Sequence, residues 1–291
     1  MEVLKERIQS LTWMGDKTKA KAIEKLSKMK VMVGYPNRFR DYTGLVTDPE
    51  DYVGNVIRAS AFETLRQTRR VGLPVDKEEW MMNPQDVNAY NSPSDNRVVF
   101  PAGILQPPFF DKNMDYAVNY GGIGTVIGHE ITHGFDNNGR SHDADGNLND
   151  WWTEEDEKKF NELADLVGKE YSSKEILPGV FINGKLTMGE NLADLGGVNI
   201  AYDALMRRLG KDPAGNVVVD GFDQSQRFFI SYAQVWRSVY SKELTMMYIV
   251  VDPHSPAKYR AIIPSQNNPA FDKAFPPKDG IQQTRKYIGV W

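Results

Sequence analysis

His129 and His133 stand four residues apart and enclose Glu130-Ile131-Thr132, an H-E-x-x-H spacing. On a helix, residues i and i+4 lie on one face, one turn apart. Both imidazoles can then reach one Zn²⁺, and the glutamate beside them can handle a metal-bound water. The stretch from Thr125 to Phe135 reads as such a helix. The chain has only four histidines, so a chance pairing at this spacing is rare. The bland alternative is a pair of exposed helix histidines.

A catalytic zinc takes three protein ligands and keeps one position open. Gly189-Glu190-Asn191-Leu192-Ala193-Asp194 again puts two carboxylates four apart. Glu190 can serve as the third ligand. Asp194, one turn on, can accept the free ring N–H of a ligand histidine and fix its tautomer. Taken alone, this pair is an ordinary acidic face near a helix N-terminus, where carboxylates are favoured. After an H-E-x-x-H, and flanked by Gly196-Gly197, the ligand reading takes precedence.

The stretches Val126 to Asp136 and Gly189 to Asp194 resemble the neprilysin-like (bacterial peptidase O-like) zinc metallopeptidases. Val87-Asn88-Ala89-Tyr90 resembles that family's substrate-binding edge strand. Asp252-Pro253-His254-Ser255-Pro256, followed by Arg260, resembles its transition-state histidine and C-terminal-side arginine. Val290-Trp291 resembles its Trp-ended terminus, and Leu11-Thr12-Trp13-Met14 a segment just upstream of its catalytic region.

The resemblance implies a thermolysin-like zincin (gluzincin) catalytic lobe and a zinc endopeptidase acting on peptide or protein substrates. It implies one Zn²⁺ per chain on His129, His133 and Glu190, with Glu130 as the base that activates the zinc-bound water. His254 stabilises the transition state and Asp194 supports the site. Asn88, Ala89 and Arg260 bind substrate. Ile104, Phe109, Val126, Val235 and Trp236 line the pocket for the residue after the scissile bond, implying cleavage on the N-terminal side of large apolar residues. Read from the residues alone, those five are plain core. Asn91 departs from the family, which commonly has a second Tyr there. Asp136, three after His133, is a further candidate support. The resemblance covers only the family's C-terminal part, so contact with an N-terminal lid half is expected. The alternative is a zinc-binding but weakly active fragment that acts as a binding scaffold.

Composition sets bounds. The 291 residues are 41% hydrophobic and 25% charged, ordinary for a globular protein large enough to bury a substantial core. A net charge of -4 gives no basic footprint for nucleic acid. Without cysteine there is neither a disulfide nor a thiolate metal site. Animal members of the resembled family are disulfide-rich, so the resemblance implies a bacterial relative. No secretory signal or membrane segment is visible. The resemblance implies an extracytoplasmic or secreted protein, with the cytoplasm as the alternative. Asp143-Ala144-Asp145-Gly146-Asn147 mimics the start of an EF-hand loop, but Gly and Glu fall at the wrong positions. A tight turn is the default, with His142 beside it a surface histidine.

The pattern predicts a mainly α fold with a small β-sheet (α+β). Two helices fill 1–29, the second from Lys17 with Asp16 as N-cap. Val31 to Val33 is a strand, and Asp48 to Arg70 a long helix. Gly72 to Asp76 divides a helical segment, 1–73, from a catalytic domain, 74–291. Asp86–Tyr90 and Arg97–Phe100 read as a hairpin, and Phe181–Leu186 as a smaller one. Helices are expected at 153–172, 188–209 and 224–243, with a loop- and Pro-rich tail from Asp252.

Overall fold

A computed structural model describes residues 1–212, 215, 217–276 and 287–291. It is mostly helical with small sheets, as the periodicity predicts. Helices α1 (Glu2–Ser10) and α2 (Asp16–Lys28) open the chain. Gly15, not Asp16, takes the cap position of α2, and its N–H donates to Asp156 Oδ1 at 2.9 Å. Asp16 instead stands in the first turn, where its charge suits the helix dipole.

Three strands form the main sheet in the order β1 (Lys30–Gly34), β3 (Arg97–Pro101), β2 (Tyr90–Ser92). β1 runs parallel to β3, and β2 antiparallel to it, so β2 is a free edge. The predicted hairpin forms, but its first strand begins at Tyr90 rather than Asp86. The Asp86 carboxylate accepts the Asn83 N–H at 2.8 Å, and the Asp86 N–H donates to Asn83 O at 3.1 Å. That turn holds the chain out of extension until Asn88. Helix α3 (Tyr52–Thr68) is shorter than expected, because the Asp51 carboxylate caps it by accepting the Gly54 N–H. No residue of α3 is buried, and Val53, Val56 and Ile57 face solvent.

The short helix α4 (Tyr116–Asn119) runs through a π turn, Tyr120–Gly124, into α5 (Thr125–His133). The Ile123 N–H donates to Phe109 O at 2.7 Å within that turn. An extra residue in one turn re-aims the helix that follows, a device common at functional sites. Next come α6 (Glu154–Ser172), strands β4 (Glu175–Leu177) and β5 (Val180–Phe181), and α7 (Met188–Lys211). The second hairpin thus lies upstream of Phe181–Leu186, because Pro178 and a left-handed Gly179 make its turn.

The helix expected over 224–243 is two helices, α8 (Gln224–Val235) and α9 (Lys242–Val251). The Ser241 hydroxyl accepts the Leu244 N–H and starts the second. The tail also contains helices where loops were expected, α10 (Ala257–Gln266) and α11 (Pro269–Ala274). Pro264 lies inside α10 and has no N–H for the carbonyl of Arg260. The Tyr232 hydroxyl, from α8, donates to that carbonyl instead, at 2.7 Å.

The main core joins α1, α2, α5, α6, α7 and the C-terminus. Trp13 stacks on Trp152 with centroids 6.1 Å apart, and Trp291 packs edge-on against Phe135 at 5.9 Å. Arg7 Nη2 donates to Trp291 O at 2.6 Å. The final tryptophan is therefore wedged directly behind the end of α5. Trp291→Ala should cost roughly 3–5 kcal/mol of stability, as other large aromatic truncations do. Denaturant unfolding followed by Trp fluorescence and circular dichroism checks this.

Candidate metal centre

The approach of α7 to α5 builds the site, and two glycines permit it. A Cβ on Gly197 would lie 2.7 Å from Thr125 O and 2.9 Å from His129 N. A Cβ on Gly128 would lie 2.8 Å from Gly197 O. The two backbones touch where any side chain would hold them apart. This contact lays the first turns of α7 against the histidine face of α5.

His129 Nε2 and His133 Nε2 then face each other at 2.9 Å. Glu190 Oε2 lies 3.3 Å from His129 Nε2, and Glu190 Oε1 lies 3.5 Å from His133 Nε2. Zinc bonds of ~2.0–2.1 Å in a tetrahedron give ligand–ligand edges of roughly 3.3–3.4 Å. The two edges to Glu190 match; the edge between the histidines is tighter. Ligand atoms of His129, Glu130 and His133 also lie within 4.8 Å of one another.

Each histidine turns its other nitrogen to a carboxylate. His133 Nδ1 is 2.6 Å from Asp136 Oδ2. His129 Nδ1 is 2.9 Å from Asp194 Oδ1, in a bent arrangement that falls short of a straight hydrogen bond. Both carboxylates favour a proton on Nδ1, which leaves two Nε2 lone pairs pointing at each other. Two acceptors so placed call for a proton or a metal cation between them. The donor set of two imidazoles and one carboxylate fits zinc.

The electrostatics agree. Burial alone would raise the Glu190 carboxyl, but His129 and His133 outweigh it and hold the group well below the usual carboxylate range. Burial likewise opposes ionisation of Asp194, and Arg260, then His129, outweigh it. Burial disfavours a charged His133, yet Asp136 and Glu190 push its pKa well above the ordinary value. The site is an anionic cup that favours positive charge.

Arg260 Nε and Nη2 donate to Asp194 at 2.7 and 2.8 Å, and the guanidinium lies 4.0 Å over the Trp236 ring. Nη2 also reaches Glu190 Oε2 at 3.4 Å. His254 Nε2 lies 3.3 Å from Glu190 Oε2, while its Nδ1 is 2.7 Å from Asp252 Oδ1. Ser255, buried next to it, donates to Asn191 Oδ1 at 2.6 Å and ties this loop to α7. The Glu130 side chain has no hydrogen-bond partner among the described residues, and it borders the same cleft.

That cleft has a volume of about 600 Å³. Every ligand, catalytic and substrate-binding residue expected from the sequence lines it. Asn88 and Ala89 border it where the chain enters β2, and Ile104, Phe109, Val126, Val235 and Trp236 are among its apolar lining residues. Sequence reasoning missed Asp252, Ser255 and the role of Asn91, whose Nδ2 donates to Glu130 O at 2.7 Å. Asp252 and Ser255 flank His254, so their polar side chains were the available signal. Asn91 could be found only from the packing of β2 against α5. The Asp143 loop is the expected tight turn: Asp143 Oδ1 accepts the N–H groups of Asp145 and Asn147. His142 is half-buried rather than a surface residue, because its carbonyl accepts Trp151 Nε1 at 3.0 Å.

The sequence profile of peptidase family M13 matches residues 88–287, and the profile of that family's N-terminal region matches 1–36. The chain belongs to peptidase family M13. Human neprilysin is 39% identical across 100% of this chain and 40% of its own length. Neprilysin-3 of Drosophila melanogaster is 39% identical across 96% of this chain and 36% of its own. The M13 fold is equally clear in solved structures. The Mycobacterium tuberculosis zinc metalloprotease Zmp1, in complex with inhibitor, superposes with a TM-score of 0.91 at 43% identity, covering 94% of this chain and 42% of that one. PepO from Lactobacillus rhamnosis gives 0.85 at 36% identity, covering 96% and 43%. The chain spans about two fifths of the length of the curated M13 relatives it matches.

If the glycine contact sets the M13 site in this chain, Gly197→Ala should force α5 and α7 apart and weaken zinc binding by at least about tenfold. Gly210→Ala, in the same helix with open space around its Cβ, should leave zinc affinity unchanged. Competition with a chromogenic chelator measures both.

Proposed function

We propose that this chain is the catalytic portion of a zinc endopeptidase that cleaves peptide bonds on the N-terminal side of large apolar residues. One observation carries the reading: two histidines and Glu190 converge at metal-ligand spacing beside a Glu130 carboxylate that has no hydrogen-bond partner among the described residues, in a cleft lined in part by apolar side chains. His129, His133 and Glu190 would hold one Zn²⁺. When bound, zinc supplies Lewis-acid charge stabilisation and brings the pKa of water towards ~7.

The chain's own groups supply the rest. Glu130 takes a proton from the attacking water and returns it to the leaving amine, and among the described residues no ion pair or hydrogen bond competes for its carboxylate. His254, oriented by Asp252, donates to the oxyanion that develops on the attacked carbonyl. Asp194 keeps His129 in the correct tautomer and anchors Arg260. The Arg260 Nη1 corner has no hydrogen bond among the described residues and the residue borders the cleft, where it would meet a carbonyl on the leaving-group side.

An extended substrate would add to the free edge that begins at Asn88-Ala89 and continues as β2. The Ala89 N–H is occupied by Asn88 Oδ1 at 2.9 Å, so Ala89 offers its carbonyl and Asn88 its amide. The side chain after the scissile bond would enter among the apolar lining residues, of which Ile104 is fully buried and Phe109, Val126, Val235 and Trp236 are partly open.

Two measurements test this reading. Glu130→Gln should keep stoichiometric zinc and lose at least about 10²-fold in kcat; near-normal cleavage of a fluorogenic peptide would remove Glu130 from the role of base. In a peptide series, replacing Leu or Phe by Ala after the scissile bond should lower kcat/KM by about tenfold or more. Equal rates across that series would rule out the assigned pocket. A chain that binds zinc yet cleaves nothing is the scaffold alternative.

A further inference from the structure

His133 is held by a relay that begins outside the cleft. Lys25, in α2, is a fully buried lysine with only 1% of its surface exposed. Its Nζ donates to Gly139 O and to His142 O, both at 2.7 Å, and stands 5.5 Å over the Phe135 ring. Burial pushes this ammonium down to about 8, against the pull of Asp136 and Asp143. It therefore keeps its charge at neutral pH, and charged donors make the stronger bonds.

The Gly139 peptide is gripped at both ends. Its carbonyl takes Lys25, while its N–H donates to Asp136 Oδ1 at 2.7 Å, joined by the Asn138 N–H at 2.8 Å. The other oxygen of Asp136 meets His133 Nδ1 at 2.6 Å. There is no slack in the loop, since a Cβ on Gly139 would lie 1.8 Å from His133 O. Asp136 is thus aimed by a loop, and Lys25 supplies that loop with a buried charged anchor from a distant helix, beside the neutral bond from Trp151 Nε1 to His142 O.

We propose that Lys25 is a positioning residue for the metal centre: through Gly139 it fixes Asp136, and through Asp136 the ring of His133. The inference rests on the metal-site reading above. Removing the ammonium would strip both carbonyls of their charged donor, leaving Gly139 O only the His142 N–H and His142 O only Trp151 Nε1, each at 3.0 Å. The loop would then lose its charged tie to α2 and relax, carrying Asp136 off the ring nitrogen. Groups that orient a ligand histidine in this way are worth about 10–100-fold in metal affinity.

A double-mutant cycle on the full chain tests it, with zinc affinity from chelator competition as the readout. Lys25→Met and Asp136→Asn should each weaken zinc binding by about 10–100-fold. The double variant should lose no more than the weaker-binding single one, because both cut the same relay. A lysine that merely fills the core would instead give losses that multiply, or none. Either result overturns the proposal. Circular dichroism of the metal-free proteins verifies that each variant is folded. Where Lys25→Met is not, Lys25→Gln, uncharged and too short to reach both carbonyls, takes its place in the same cycle with the same loss expected. If the unmodified chain takes up no zinc, the metal-site reading itself fails. If it does and Lys25→Met binds equally well, only the relay fails.

Discussion

The backbone contact between α5 and α7 at Gly128 and Gly197 is the constraint on which the rest depends. In the proposed site, H-E-x-x-H supplies two ligands and a base on one helix face. A third ligand must come from elsewhere in the chain, within 3–4 Å of both imidazoles. Glu190 achieves this at 3.3 and 3.5 Å because nothing but hydrogen separates the helices two turns further along α7. The same geometry delivers Asp194 to the rear of His129. One steric condition thus places the proposed ligand Glu190 and its supporting carboxylate Asp194 together.

The remaining contacts restrain this pair of helices from outside. Trp291 and Phe135 back α5, the π turn aims its start, and Asn91 ties the edge strand to the carbonyl of Glu130. Ser255 and Asn191 lock the His254 loop onto α7. Tyr232 replaces the N–H that Pro264 lacks, so the residue whose carbonyl would be orphaned is Arg260, the partner of Asp194. Charge is distributed in the same spirit. Glu190, Asp194 and Asp136 surround two imidazoles, and Arg260 offsets part of that negative charge without entering the ligand set.

Much of the candidate centre was legible because its signals are local. His129 with His133, and Glu190 with Asp194, are i,i+4 pairs, and helix periodicity puts each pair on one face. What the sequence hides is whatever depends on chain reversal. The parallel pairing of β1 with β3 links residues more than sixty apart, and the start of β2 at Tyr90 is set by a side-chain turn at Asp86. The helix α10 was unreadable because its proline is compensated by a hydroxyl from α8. Lys25 reads as one more charge on an amphipathic helix until Gly139 and His142 are seen above it. The boundaries at Val235 and Ser241 escaped for a different reason: apolar residues at near-helical spacing, Val235, Trp236, Val239 and Tyr240, continue between them, and only the Ser241 cap marks the break.

The central claim is that two helices locked together by glycine contact hold one metal between His129, His133 and Glu190. Anomalous diffraction at the zinc edge from crystals of the zinc-loaded chain tests it most directly. The account predicts one strong peak per chain, about 2.0–2.1 Å from His129 Nε2, His133 Nε2 and a Glu190 oxygen. A peak elsewhere, or one at this site without Glu190 as a ligand, would contradict it.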